Sequence, residues 1–208
     1  MSTFVWSDTH IGHVNMAEKW RTGPDFDGTV ATHNAVIRDR WNSVVSPGDD
    51  VWIIGDAVMG QRQVGIDFYN TMHGTKHIVP GNHDHIHPMF THKSADKAAA
   101  IHDMYAQAFT IHDPVVTGDD AWGIPGIIIS HFPWAGTPDH DDADRDPKMY
   151  DWYPDPAAYM PGTVIVHGHT HSHQRFSRNA IHVGVDSWMT PVPVSTIADM
   201  VPHARAWI

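Results

Sequence analysis

The chain reads as an α/β protein: a four-layer αββα sandwich of two mixed β-sheets flanked by helices, with its site at strand C-terminal ends. Three observations predict that class. Short apolar runs rich in β-branched residues recur along the chain, each about the length of a buried strand. Stretches with a helical stripe lie between and after the first three runs, and from about Ile111 onward strand follows strand. The residues able to carry chemistry sit in loops just past the runs, the usual position of sites in α/β sheets.

Taken in order, Phe4-Val5-Trp6 is the first run and precedes Asp8. Thr29 to Val44 follows as a helix, with Val30, Val36, Ile37, Trp41 and Val44 forming a rough stripe. Val51-Trp52-Ile53-Ile54 leads into Gly55-Asp56, and Gln61 to Met72 is a second helix, ended by Gly74. His77-Ile78-Val79 leads into Gly81-Asn82. Ser94 to Phe109 is a third helix; Ser94 is its N-cap, and Ala98, Ile101, Tyr105 and Ala108 recur at spacings of three and four. Ile127-Ile128-Ile129 precedes His131, and Val164-Ile165-Val166 precedes Gly168-His169.

Residues 133–162 interrupt this pattern. The stretch holds Asp139, Asp141, Asp142, Asp144, Asp146, Asp151 and Asp155, with five prolines from Pro138 to Pro161. Loops this long are uncommon in compact domains unless they serve a function. A solvated surface loop accounts for most of its residues; a lid over the site is the sharper reading, because the loop directly follows His131. No repeat or internal boundary is visible, so residues 1–208 are expected to form one domain.

The 208 residues are 41% apolar and 18% charged, which fits a globular protein with one well-buried core. No run of about 18 apolar residues exists, so no membrane span is expected. The first motif begins at residue 8, which leaves no room for a removable leader, and the chain has no cysteine for disulfides or thiolate metal sites. The cytoplasm is the expected location. Against 24 acidic residues stand 13 basic ones, a formal charge of −11 that disfavours stable duplex nucleic-acid binding. Bound divalent metals would locally reverse that field. The 19 histidines are scattered and form no tag-like run.

Five segments carry the chemistry: Asp8-Thr9-His10, Gly55-Asp56, Gly81-Asn82-His83-Asp84, His131 and Gly168-His169-Thr170-His171. Asp-x-His alone is common, and a lone histidine is more often structural. Five such pieces in order, each after an expected strand, are a poor fit to scattered surface histidines. Phosphate ester hydrolysis needs a nucleophile, neutralised phosphoryl oxygens and help for the leaving group. Two metal ions about 3.5–4 Å apart supply a bridging hydroxide and clamp the phosphoryl group. Holding them so close requires a bridging carboxylate, and Asp56 beside Gly55 suits that task. Alternate residues of an extended segment point the same way, so Asp8 and His10 can share an ion. A turn at His169-Thr170-His171 would splay its two rings toward different ions. Asn82 adds a carbonyl oxygen and His131 an imidazole. This mixed nitrogen and oxygen set suits manganese first, with iron, zinc, nickel or cobalt as alternatives, over magnesium or calcium.

The order Asp-x-His, Gly-Asp, Gly-Asn-His-Asp, His, Gly-His-x-His resembles the calcineurin-like metallophosphoesterase superfamily over nearly the whole chain. The opening Ser7-Asp8-Thr9-His10-Ile11-Gly12-His13 is similar to its compact bacterial and phage members. The resemblance implies that Asp8, His10, Asp56 and His171 bind one metal and Asp56, Asn82, His131 and His169 the other. It implies that His83 donates a proton to the leaving oxygen or hydrogen-bonds the phosphoryl group. It also implies a single-domain phosphodiesterase or phosphatase acting on a small or nucleotide-type substrate, by direct attack of the metal-bridging hydroxide. A DNA or RNA end-processing nuclease, and a non-catalytic metal-binding scaffold of the same fold, are the alternatives. Phosphoprotein phosphatases of the superfamily carry a second aspartate where this chain has Met59, so the group that orients His83 is absent or comes from elsewhere; Asp84 is a candidate.

Other residues have competing readings. His13 and Asn15 line the substrate pocket, or Asn15 serves a turn. His167 orients a ligand ring or packs at a strand end. Asp186 accepts a hydrogen bond from a ligand imidazole or serves a turn. Arg145 reaches a substrate phosphate or pairs with its aspartate neighbours, and Trp134 packs in the core or stacks on a nucleobase.

Overall fold

The computed structural model describes residues 1–137 and 147–206. The first sheet is built from β1 (Thr3–Trp6), β2 (Asp50–Ile54), β3 (Thr75–Val79) and β4 (Thr110–Ile111), all parallel, with α1 (Val30–Asn42), α2 (Arg62–Tyr69) and α3 (Ala95–Tyr105) as the intervening crossovers. The second sheet contains β5 (Val115–Thr117), β6 (Ile127–Ser130), β7 (Val164–His167), β8 (Phe176–Ser177) and β9 (Ala180–His182), and a short helix, α4 (Gly118–Trp122), links β5 to β6. Strand β10 (Val192–Pro193) returns to the first sheet, antiparallel to β1, and α5 (Val194–Arg205) closes the described chain. Each sheet mixes parallel and antiparallel neighbours, in the orders β10-β1-β2-β3-β4 and β5-β6-β7-β9-β8.

Strand alternation assigns the layers. Phe4, Trp6, Val51, Ile53 and Ile78 face α1, α2 and α3, while Val5, Trp52, Ile54 and Val79 face the second sheet. On that sheet Ile127, Ile129, Val164, Val166 and Ile181 point inward, and the alternate residues Ile128, Ile165 and Ala180 pack outward against Trp134 and Tyr159. The two sheets therefore share one apolar interlayer, and helices α1 to α3 form an outer layer. The opposite outer layer is thin, made by Trp134 and the segment around the 3₁₀ turn Pro156–Ala158.

The helices follow their local signals. Thr29 and Ser94 cap α1 and α3, accepting hydrogen bonds from the backbone N–H of Thr32 and Lys97 at 3.2 Å. Along α1, His33, Ile37 and Trp41 recur every four residues and are buried, whereas Val44 lies beyond the helix end and is exposed. Helix α5 occupies part of the C-terminal region read as strands. Val194, Ile197, Met200, Val201 and Ala204 form its buried stripe, despite Pro202 inside it. Among the described residues no helix is long and apolar enough to cross a membrane.

Past the strand ends the two sheets are stitched together. The Val185 N–H donates to Ser7 O at 3.1 Å, Ser7 Oγ donates to Ile54 O at 2.5 Å, and Gly168 N–H donates to His131 O at 3.1 Å. These bonds, together with those the Asp84 carboxylate accepts from Asp56 N–H and Gly81 N–H, bring the loops after β1, β2, β3, β6 and β7 to one edge.

Candidate metal centre

All five sequence segments converge at that edge. Asp8, His10, Asp56, His131 and His169 are almost fully buried, while Asn82, His83 and His171 are half-buried. His10, Asp56, Asn82, His83, His169 and His171 floor an open cleft of about 780 Å³ whose walls include His13, Trp20, Thr137, Gln174 and Phe176, with Asp8 and His131 buried behind them.

The backbone at the site departs from the sequence expectation. Asp8 and His10 do not continue an extended strand; their φ angles are +59° and +49°. Asp56, His169 and His171 are also left-handed, at +53°, +70° and +48°. Five of the seven non-glycine residues with positive φ among those described are thus expected metal ligands. Such conformations cost of order 1–3 kcal/mol each and persist where the surroundings enforce them. Here a tight turn after each strand aims a side chain back over the sheet edge. Gly55, at φ +75°, is required for a second reason: a Cβ there would collide with the His131 ring.

Two groups of donor atoms result. Ligand atoms of Asp8, His10 and His171 lie within 4.8 Å of one another, and those of Asp8, Asp56 and His131 form another such set. His10 Nε2 lies 3.1 Å from His171 Nε2. On the other side, Asn82 Oδ1 is 2.9 Å from both His131 Nε2 and His169 Nδ1, which are 3.2 Å apart. Asp56 stands between the groups. Its Oδ1 is 3.4 Å from His131 Nε2, and its Oδ2 is 3.7 Å from His10 Nε2. The splaying of His169 and His171 matches the sequence expectation, since each ring faces a different group.

The donor set fits divalent cations. His131 Nδ1 donates to Ile54 O at 2.9 Å, which leaves Nε2 as a bare lone pair beside the Asn82 oxygen. Such mutually facing acceptors repel unless a proton or a cation lies between them. In the first group His10 Nε2 and His171 Nε2 face each other at 3.1 Å, two lone-pair atoms that a proton or a cation between them reconciles. Burial pushes the pKa of His10 well down, helped by His171 and His83, and so keeps one ring nitrogen's lone pair available. Burial also opposes ionisation of Asp56, but His131, His83 and the His83 N–H bring that carboxyl down to about 2. Asp8 moves the other way: burial raises it, against the pull of His171 and His131.

Neighbouring groups fix the rings. His171 Nδ1 donates to Asp186 Oδ2 at 2.7 Å, and Asp186 also lies in the turn closed by Ser187 N–H donating to Gly184 O, so both readings of Asp186 describe its place. Asp186 in turn pairs twice with the buried Arg21 guanidinium, at 3.1 Å from both Nε and Nη2. Although burial opposes it, this pairing holds Asp186 well below the usual carboxylate range, and the Asp186 bond raises His171 against the effect of burial. Arg21 also donates to the backbone carbonyls of Asp8 and Thr9. His169 Nε2 lies 2.7 Å from the hydroxyl of buried Tyr153. Neither Arg21 nor Tyr153 belongs to a motif or a periodic stripe, and nothing in the sequence marks them.

His83 lies beside these groups. Its ring is half-exposed in the cleft, with Nε2 3.8 Å from Asp56 Oδ2. Asp84 is a correction: it does not orient His83. Its carboxylate is fully buried and accepts backbone N–H bonds from Asp56 (2.7 Å), Gly81 (2.9 Å) and Ala57 (3.1 Å). Burial and the adjacent Asp56 carboxylate push its pKa up to about 7. Asp84 is the clasp that shapes the β2 and β3 loops.

The remaining candidates separate cleanly. His13 lines the cleft; Asn15 precedes the π-helical turn Met16–Trp20 and makes no side-chain cap. His167 borders the cleft, but its Nδ1 donates to Gly168 O rather than to a ligand ring. Trp134 packs on the outer face of the second sheet with its Nε1 donating to Asn179 O and does not line this cleft. Arg145 and the acidic residues 139–146 lie outside the described residues.

The class defined so far is a mixed α/β two-sheet protein whose strand-end loops gather Asp and His groups able to hold metal. No family model matches the chain. It is 34% identical over 211 residues to the Gene 66 protein of Mycobacterium phage L5, covering 97% of this chain and 95% of that one. It is 31% identical over 214 residues to the Gene 66 protein of Mycobacterium phage D29, covering 95% of each. The chain belongs to this family of mycobacteriophage Gene 66 proteins. Among solved structures, the fold is shared with AQ665, a protein of unknown function from Aquifex aeolicus, at a TM-score of 0.61 and 18% identity over 96% of this chain and 98% of that one.

Proposed function

We propose that this protein is a dinuclear metal-dependent phosphoesterase that hydrolyses small or nucleotide-type phosphate esters. The observation that carries the reading is the placement of Asp56, whose two oxygens face separate sets of imidazole donors. Asp8, His10, Asp56 and His171 would hold one ion; Asp56, Asn82, His131 and His169 the other, with manganese the first choice for this donor set. Ions held by these residues would supply charge neutralisation for phosphoryl oxygens and would lower the pKa of water.

The chain's own residues supply the rest. Asp186 and Arg21 hold the His171 ring in one orientation, and Ile54 O does so for His131. His83, next to the donor atoms and open to the cleft, hydrogen-bonds the phosphoryl or leaving oxygen of an ester. The volume of the cleft, about 780 Å³, suits a nucleotide-sized molecule.

The test is a panel of phosphomonoesters, linear diesters and 2′,3′- and 3′,5′-cyclic nucleotides, run with manganese, nickel and zinc. Metal-dependent hydrolysis of at least one ester, abolished in His131→Ala, is expected. Cleavage confined to single-stranded oligonucleotides would move the reading to a nuclease. Bound metal without turnover of any substrate would move it to a scaffold.

A further inference from the structure

We infer that Tyr153 is a positioning residue for the second metal group: its hydroxyl selects the tautomer and orientation of His169 in which Nδ1 is the metal-facing atom. The inference rests on the two-metal reading above and names a residue that reading does not require.

Four observations carry it. First, the contact is short and buried: Tyr153 Oη lies 2.7 Å from His169 Nε2, with Tyr153 6% exposed and His169 2% exposed. Second, the opposite ring atom faces the donors. His169 Nδ1 is 2.9 Å from Asn82 Oδ1 and 3.2 Å from His131 Nε2. A neutral imidazole carries one hydrogen, so a bare Nδ1 requires Nε2–H, and Nε2–H requires an acceptor there. The phenol oxygen is that acceptor.

Third, Tyr153 is fixed by packing rather than by chance proximity. Its ring stacks on Phe132 at 5.0 Å and 27°, within a buried cluster that includes Met149. Phe132 in turn lies edge-on to both His131 and His169, with centroids 5.3 and 5.0 Å away. Fourth, the two groups are oriented by different chemistry. His171 is held by a carboxylate, which strengthens its basicity; His169 is held by a neutral phenol, which sets direction with little added charge. Loss of the hydroxyl therefore acts on the second ion and leaves the first alone.

The test is a calorimetric titration of the chelator-stripped full chain with Mn²⁺, comparing the parent with Tyr153→Phe, which keeps the ring and its packing. Thermal unfolding without metal is measured alongside. Parent binding of two ions is expected, with the second weakened about 10–100-fold in the variant, the first within twofold, and Tm unchanged. Under sub-saturating Mn²⁺ the variant's turnover falls, and excess Mn²⁺ restores it. Two ions bound with parental affinity in Tyr153→Phe would overturn the assignment alone. A parent that binds fewer than two ions would overturn the two-metal reading and this inference with it. Equal weakening of both ions would also overturn it, showing Tyr153 to be a general packing residue.

Discussion

Asp84 holds the backbone of Asp56: its Oδ2 accepts the Asp56 N–H at 2.7 Å, and the same oxygen accepts Gly81 N–H at 2.9 Å. One buried carboxylate thus joins the loop after β2 to the loop after β3. The expected outcome of Asp84→Asn is a loss of about 2–4 kcal/mol in folding stability, because an amide donor then confronts backbone donors in a buried site. His83→Gln, at a half-exposed position, is expected to leave stability unchanged. Urea unfolding in chelator reads both. An Asp84→Asn protein as stable as the parent, altered only in its pH–rate profile, would return Asp84 to the role of orienting His83.

Asp186 links Arg21 to His171, so its removal is felt on both sides. In Asp186→Asn the Arg21 charge stays buried and half-paired, which is expected to cost about 3 kcal/mol of stability. The less basic His171 ring is expected to bind the first ion about 10–100-fold more weakly. Calorimetry with Mn²⁺ reads the affinity directly. Parental affinity at both ions would show that Asp186 serves the fold and not the site.

Two buried histidines of the metal-free protein each make a contribution to stability that acid removes, opposite in sign to that of Asp84, whose raised carboxyl takes up a proton more readily when folded. Burial lowers His33 to about 4, aided by Arg21, whose Nη1 lies 3.1 Å from the His33 Nε2 acceptor. Burial likewise lowers His87 to about 4; its Nδ1 accepts Met89 N–H at 3.1 Å. Between pH 6.5 and 4 the unfolded chain takes up protons that these two rings refuse when folded. Their contribution is therefore complete above pH 6.5 and lost as pH falls toward 4, by at most about 3 kcal/mol per ring. Between pH 7.5 and 4.5 the urea midpoint of His33→Gln, whose amide oxygen still accepts from Arg21, should change in the stabilising direction relative to the parent's. An identical slope would remove His33 from the account.

The site was more legible in the sequence than its supports. Each ligand motif follows a run such as Val51–Ile54 whose alternation places one face on the helices and one on the second sheet, so strand ends and site residues could be read together. The left-handed backbone at Asp8 and His10 could not, because the same Asp-x-His spacing is compatible with an extended segment. Arg21 sits after a π-helical turn, and Tyr153 follows the 3₁₀ turn Pro147–Trp152; neither setting has a periodicity that predicts burial. Asp84 misled for a related reason. Adjacency to His83 suggested a side-chain partner, whereas its carboxylate turns toward the backbone N–H groups around it. Helix α5 was hidden by Pro193 and Pro202 flanking and interrupting an otherwise regular stripe.

The most direct test of the account is the stoichiometry of Mn²⁺ binding in the parent and in Asp56→Ala, read together with hydrolysis of a nitrophenyl phosphodiester. Because Asp56 faces both donor groups, the parent should bind two ions per chain, and the variant should lose tight binding of both and all measurable turnover. An Asp56→Ala protein that still binds two ions tightly, or still hydrolyses the diester at the parental rate, would contradict the shared-carboxylate centre.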